Sequence, residues 1–213
     1  MSRVLLASRN AKKLAELQRI LGRHVTVLGL GDVAPYDEEP ETGATFEENA
    51  TAKAQQAARE TGEISLADDS GLTVAALHGM PGVLSARWAG RHGDDPANTA
   101  LLLAQIADVP DERRGAAFVC ALALVVPDDS VRLKRAEWPG RIIREVKGSN
   151  GFGYDPVFVP HESDQAGDGR TSAELAPPEK DALSHRGRAL AMMLPELIEV
   201  LGVLAPVNPG RLV

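Results

Sequence analysis

The sequence is short of cysteine, of aromatic residues and of positive charge. It has one cysteine among 213 residues, so no internal disulfide can form, and a zinc site would need ligands of other kinds. That cysteine, Cys120, sits in the apolar run Phe118–Val126 and reads as a small core residue in a reducing compartment. The first residues offer only Val4–Ala7 as an apolar run, too short for a signal peptide or a membrane span. A cytoplasmic protein with no membrane partner is expected. Lysine and arginine number 23 against 30 acids, a net charge of −7. The whole molecule therefore repels polyanions, which argues against duplex nucleic acid as its main partner. A small nucleotide is not excluded, because a local cluster of lysines and amide groups overcomes a distant net charge.

What is present is ordinary. Apolar residues make up 44% and charged residues 25%, the mix of a globular protein. The length suits one large domain, or a core with a smaller lobe. No internal repeat or low-complexity block interrupts it. A single domain over 1–205 is expected, with 206–213 as a frayed C-terminal tail.

The opening alternates strand and helix. Arg3–Ala7 reads as a buried strand, and Leu14, Leu17, Ile20 and Leu21 fall at helical spacing behind it. Gly22 stands where that helix would stop. Val25–Leu28 reads as a second strand. A long Gly-, Pro- and acid-rich connection, Gly29–Ala44, follows, and loops of that length in compact domains are often functional. Thr45 with Glu48 makes a capping box, predicting a helix from Phe46 to about Thr61. Ile64–Ala67 is a short strand that runs into Asp68-Asp69-Ser70-Gly71. Strand–helix–strand–helix points to an α/β core. Further on, Asp95–Ile106 has helical character. Ala116–Val126 and Val131–Trp138 read as strands across the turn Pro127-Asp128-Asp129-Ser130 and should pair antiparallel, so the sheet is mixed. Val157–Val159 is another short strand, and His161–Gly169 reads as a mobile polar insertion. Helices Glu179–Leu183 and Arg188–Leu204 close the chain, the second kinked or split by Pro195.

Four segments carry candidate chemistry. Ser8-Arg9-Asn10-Ala11-Lys12-Lys13 lies at a strand-to-helix junction, where free backbone N–H groups and a partial positive charge suit phosphate. No P-loop is present, and Ser8 or Asn10 could equally serve as a helix cap. Asp68-Asp69 follows a strand, and carboxylates are what a hard ion such as Mg²⁺ prefers. Adjacent strand residues face opposite ways, so the two acids should do different jobs; the same residues could also mark a turn. Glu41, in the acidic loop, is a possible further ligand beside Asp37, Glu38 and Glu39. Gly151-Phe152-Gly153-Tyr154-Asp155-Pro156 holds two of the eight aromatic residues. Phe152 could stack on a base and Asp155 accept from its edge. Ser184-His185-Arg186-Gly187 combines a helix cap with donors for a carbonyl or phosphate. A serine–histidine nucleophile is disfavoured, because no Gly-x-Ser-x-Gly elbow is present. Lys53 and Lys180 matter only through their neighbours.

Together these segments resemble the inosine/xanthosine triphosphate pyrophosphatases. The matching pieces are Ser8-Arg9-Asn10 with Lys13; Glu41-Thr42-Gly43, Thr45-Phe46, Glu48-Asn49-Ala50 and Lys53; Ala67–Leu72; Pro81-Gly82-Val83 with Ser85-Ala86-Arg87; Gly151–Pro156; Ala173-Glu174-Leu175; and Ser184–Gly187. They stand in the family's order from residue 3 to about 204. Departures are the stretch His161–Gly169, Ser172 where the family often has alanine, and the end of the chain. The resemblance implies an elongated α/β fold, a mixed sheet with flanking helices and two lobes around a central cleft, and a homodimer. It also implies Mg²⁺ and a water that attacks the α-phosphorus of a non-standard purine nucleoside triphosphate (dITP, ITP or XTP). On that reading Glu41 and Asp69 hold Mg²⁺, Asp69 activates the water and Asp68 supports the geometry. Ser8, Asn10, Lys13 and Lys53 neutralise the triphosphate, with Arg9, Ala11 and Lys12 in the same segment. Ser70 contacts substrate, Phe152 stacks on the purine beside Gly153 and Tyr154, and Asp155, Lys180, His185 and Arg186 read its edge. A Maf-like pyrophosphatase is the rival enzyme, disfavoured because no Ser-Pro-Arg-Arg type signature follows the first strand. A nucleotide sensor without turnover is disfavoured by the acid set Glu41, Asp68 and Asp69.

Overall fold

The computed structural model describes residues 2–21, 25–128 and 130–202. Gly22, Asp129 and the tail at 206–213 lie outside the described residues, as does the side chain of Lys12. The elements run β1 (Ser2–Leu6), α1 (Ala11–Leu21), β2 (Val25–Leu28), α2 (Phe46–Thr61), β3 (Ser65–Val74), α3 (Asp95–Gln105), β4 (Gly115–Val125), β5 (Val131–Ile142), β6 (Phe158–Pro160), α4 (His161–Ala166), α5 (Pro177–Leu183) and α6 (His185–Leu201). One six-stranded sheet has the order β2-β1-β3-β4-β5-β6. β1 pairs parallel with β2 and with β3, and β6 antiparallel with β5. Only five residues connect neighbours β4 and β5, too few for a parallel crossover. The expected mixed α/β sheet is therefore present.

The described residues divide into two compact units of interleaved segments. The first draws on Met1–Asp69, Ala121–Arg135 and Ala189–Val213, the second on Ser70–Cys120 and Ala136–Arg188. In the first, β1 sits between two parallel partners. The α1 connection runs from β1 out to β2 and the α2 connection runs back from β2 to β3; because the two are opposite in direction, right-handed crossovers put those helices on opposite faces. Each helix is apolar where it meets the strands. α1 buries Leu17 and Leu21, and α2 buries Ala50, Ala54 and Ala57 completely. Alanines at this spacing let the helix backbone approach the sheet closely. The expected cap forms with one shift: Thr45 accepts from the Glu48 amide, and Glu48 Oε2 accepts from the amide of Ala44, one residue before the cap. Gly62 ends α2 in the left-handed conformation.

The second unit has a core of larger residues: Leu72, Leu102, Phe118, Trp138, Phe158 and Leu175 among others. Phe118 meets Phe158 edge-on with centroids 4.7 Å apart. Trp138 is fully buried, and its indole N–H donates to Glu162 at 3.0 Å. Gly140 permits β6 to lie against β5, because a Cβ there would meet the Val159 carbonyl oxygen at 2.3 Å.

Four local expectations are corrected. β3 does not stop at Ala67 but continues through Asp68-Asp69-Ser70-Gly71 to Val74; each acid has a partner from a helix, so the pair can sit inside a strand. β5 continues past Trp138 to Ile142. The polar stretch from His161 is helix α4, capped by Gly167. Its charges are met by β5 and α6, Arg141 gripping Asp164 through two 2.8 Å bonds and Arg188 pairing with Glu162. Helix α6 begins at His185 and is not split by Pro195; buried Leu190, Met193 and Leu197 hold one continuous face, which outweighs one missing backbone donor.

Candidate active site

The phosphate-type residues gather in the first unit at the carboxyl end of β1. Open α/β sheets bind ligands where neighbouring connections diverge, and here that point lies between β1 and β3. Asn10 caps α1: its side chain accepts from the Lys13 amide at 3.4 Å and its carbonyl from the Leu14 amide at 3.1 Å. Ser8 Oγ accepts from the Asn10 amide at 3.2 Å. Ala11 opens the helix. Arg9 is exposed and paired with Glu38 at 2.5 Å.

Asp68 and Asp69 use the alternation of β3 to address different helices. Lys13 of α1 donates to both oxygens of Asp68 at 2.7 Å. Asp69 accepts from Asn49 Nδ2 of α2 at 2.9 Å, and Lys53, one turn on, lies 3.7 Å from it. Lys53 also donates to Glu41 at 2.9 Å. Glu41, Lys53, Asn49 and Asp69 thus form one cluster. Its loop is pinned from α2: Gln56 accepts from the Glu39 amide and donates to the Asp37 carbonyl, while Asn49 Oδ1 accepts from the Gly43 amide. Gly43 has no room for a side chain, since a Cβ would meet Asn49 Oδ1 at 2.6 Å. Burial pushes the Asp69 carboxyl above its usual range. Lys53 and the Asn49 hydrogen bond pull it down, while Glu41 and Asp68 push it further up. For Lys53, burial alone would lower the ammonium's pKa, but Asp69, Asp68 and Glu41 together leave it raised.

The base-type residues gather in the second unit around one pocket, lined among others by Ser70, Asp95, Phe152, Lys180, His185 and Arg186. Two cations flank the Phe152 ring, Lys180 Nζ at 5.7 Å and Arg186 Cζ at 5.1 Å from its centroid. His185 opens α6 with its ring stacked on Phe118 at 5.0 Å, behind the Ser184 cap, whose hydroxyl accepts from the Gly187 amide. Tyr154 is buried and donates to the Ser85 carbonyl at 2.8 Å. Burial and Asp95 hold its hydroxyl far above the usual range, so it stays protonated. The turn carrying Phe152 is fastened twice: the Phe152 amide donates to Asp155 at 2.9 Å and the Gly153 amide to Asp95 at 2.7 Å. Gly151 adopts a φ of 80° against Asp155, where a Cβ would meet Oδ2 at 2.0 Å.

Asp155, expected at the base edge, is engaged from within the protein. Its residue is 3% exposed, and its carboxylate takes Ser172 Oγ at 2.8 Å on one oxygen and the Phe152 amide and Lys180 on the other. It fixes the Phe152 backbone and the Lys180 ammonium in place. Three positions contribute beyond the expected set: Asn49, Asp95 and Ser172. A buried asparagine on the apolar face of α2 and a departure from the family pattern at 172 were the available signals; nothing in the sequence marked Asp95. Ser172→Ala should cost about 1.5 kcal/mol, the scale of a hydrogen bond to a charged group, measured by urea unfolding. Unchanged stability would remove Ser172 as a support of Asp155.

The sequence profile of the Ham1 family matches residues 4–196. The chain is 64% identical over 200 residues to a dITP/XTP pyrophosphatase of Mycobacterium tuberculosis, across 92% of this chain and 95% of that one. A crystal structure from Mycobacterium abscessus, described as a nucleoside-triphosphatase / dITP/XTP pyrophosphatase, is 61% identical with a TM-score of 0.75, covering 91% of this chain and 99% of its own. A HAM1 protein structure from Coxiella burnetii is 42% identical with a TM-score of 0.84, covering 93% and 100%.

Proposed function

Because the chain belongs to the Ham1 family, we propose that it hydrolyses non-standard purine nucleoside triphosphates (dITP, ITP and XTP) to the monophosphate and pyrophosphate. The observation that carries the substrate class is the donor set around Phe152. Lys180 and Arg186 present donors only, and the two nearby carboxylates, Asp95 and Asp155, are engaged by backbone amides. Hypoxanthine and xanthine offer a 6-carbonyl acceptor to such donors. Adenine offers an amino group, and each buried mismatch costs about 1–3 kcal/mol.

The phosphate chemistry is assigned to the first unit. The donor set there fits a divalent cation. Mg²⁺ takes one or two carboxylates and fills its other positions with water and phosphate oxygens, and Glu41 and Asp69 converge on one ammonium. When bound, Mg²⁺ would neutralise charge developing on the phosphates. Asp69 takes a proton from water, whose oxygen forms a bond to the α-phosphorus. The bond from that phosphorus to its bridging oxygen breaks, and the electron pair leaves with pyrophosphate. Lys13, Lys53 and the amides at the start of α1 stabilise the charge on the phosphates, and Ser8 and Asn10 fix those amides. Asp68 orients Lys13, and Ser70 contacts substrate.

A cytoplasmic homodimer completes the proposal, with sedimentation as its check; among the described residues no helix is long and apolar enough to cross a membrane. Pyrophosphate release with Mg²⁺ should be fast with dITP and XTP and at least about a hundredfold slower with ATP, given two or more mismatched groups. Equal rates with ATP would refute the base assignment, and preference for dTTP would favour the Maf-like reading.

A further inference from the structure

Each acid of the first group already faces a cation supplied by the protein. Lys53 stands between the two carboxylates assigned to the metal, 2.9 Å from Glu41 Oε1 and 3.7 Å from Asp69 Oδ1. Its side chain is 23% exposed, so the ammonium has little water to fall back on. A divalent ion arriving alone either meets that ammonium at close range or displaces it, and displacement strips Lys53 of two anionic partners. A triphosphate changes the balance, because it offers the ammonium a replacement anion.

We propose that Lys53 is a resident cation that competes with the metal for Glu41 and Asp69 and is drawn off by the nucleotide phosphates, so that metal and nucleotide bind cooperatively. The inference rests on the assignment of Glu41 and Asp69 as metal ligands. Lys53 is then a gate on metal occupancy as well as a phosphate contact. Coupling of this kind is reciprocal: whatever factor the nucleotide adds to metal affinity, the metal adds to nucleotide affinity. The geometry has a counterpart across β3, where Lys13 covers both oxygens of Asp68, so the same phosphates can draw a second ammonium from a second acid.

The test is Mn²⁺ binding to the full chain, followed by electron paramagnetic resonance, with and without an α,β-methylene analogue of dITP. Metal held by the analogue in solution is subtracted. Wild type should bind Mn²⁺ weakly alone and about tenfold or more tightly with the analogue, within the usual range of coupling. Lys53→Met should bind Mn²⁺ alone about tenfold more tightly than wild type, with the coupling reduced by about the same factor; what remains is the metal's own contact with the phosphates. Equal affinity of the two proteins for Mn²⁺ alone, or full coupling in the variant, overturns the proposal. Wild type that binds no Mn²⁺ even with the analogue overturns the ligand assignment beneath it, which is a different failure. A measurement on wild type alone covers the case of a variant that does not fold. The ¹⁵N resonance of the Lys53 ammonium should move in step with Mg²⁺ occupancy, and a fixed resonance at a filled site overturns the exchange.

Discussion

Asp69→Asn is expected to lower turnover of dITP by about a thousandfold, the scale of a lost general base, while nucleotide affinity measured without metal changes little. The substitution is nearly isosteric and leaves an amide oxygen to accept from Asn49. Lys53 keeps Glu41, and Lys13 keeps Asp68. The same change should not lower thermal stability at neutral pH. Burial holds the Asp69 carboxyl above its unfolded value, so its ionised form opposes folding. The sign follows from linkage: an acid with a raised folded pKa takes up protons on folding, so its contribution falls as pH rises through the window between the two values. Wild type should therefore be penalised most at neutral pH, and the difference from the variant should close as pH falls below the unfolded carboxylate value. Paired kinetics and melting curves from acid to neutral pH measure both effects. Turnover within a few-fold of wild type would remove Asp69 as the base, and a variant that melts well below wild type at neutral pH would make its role structural.

Arg114→Met should be the most damaging change outside the site. Arg114 is 2% exposed and spends its guanidinium on three backbone carbonyls: Nε on Ile142 at 2.9 Å, Nη1 on Ile106 at 2.6 Å and Nη2 on Ile143 at 3.2 Å. Ile106 caps the C-terminus of α3, whose last carbonyls have no partner within the helix. Ile142 ends β5, and its amide returns a bond to the Arg114 carbonyl. One planar fork therefore ties a helix end to a strand end within the second unit. Methionine fills similar volume but leaves acceptors buried without donors, at roughly 1–3 kcal/mol each. A loss of about 4 kcal/mol is expected, or a fall in Tm of roughly 8–16 °C for a chain of this size. Arg114→Lys should recover only part of it, since a single ammonium cannot reproduce the fork. A shift under about 2 °C, half the fall for 1 kcal/mol at the upper end of that scale, would show that water replaces the guanidinium.

Local rules were enough for much of this protein. Thr45 and Glu48 announced α2 because a capping box closes within four residues, and Leu17 and Leu21 announced α1 because helical spacing is a local geometry. The motif segments were legible for the same reason: Asp68-Asp69, Gly151–Pro156 and Ser184–Gly187 carry their residue types in an unbroken run. The fate of an acid inside a strand was not local. Asp68 and Asp69 read equally as a turn until Lys13, Asn49 and Lys53 arrived from two helices on opposite faces. The polar run from His161 read as a loop because its counter-charges, Arg141 and Arg188, lie 20 or more residues away in the chain. Ser172 and Lys180, the donors that surround Asp155, were likewise invisible until folding supplied them. Sequence determined which groups could perform phosphate and base chemistry, because their type and short-range spacing are written in the chain. Tertiary structure decided which charge meets which, because ion pairing depends on distance through space, and residues far apart in sequence are brought within 3 Å only by the packed sheet and helices.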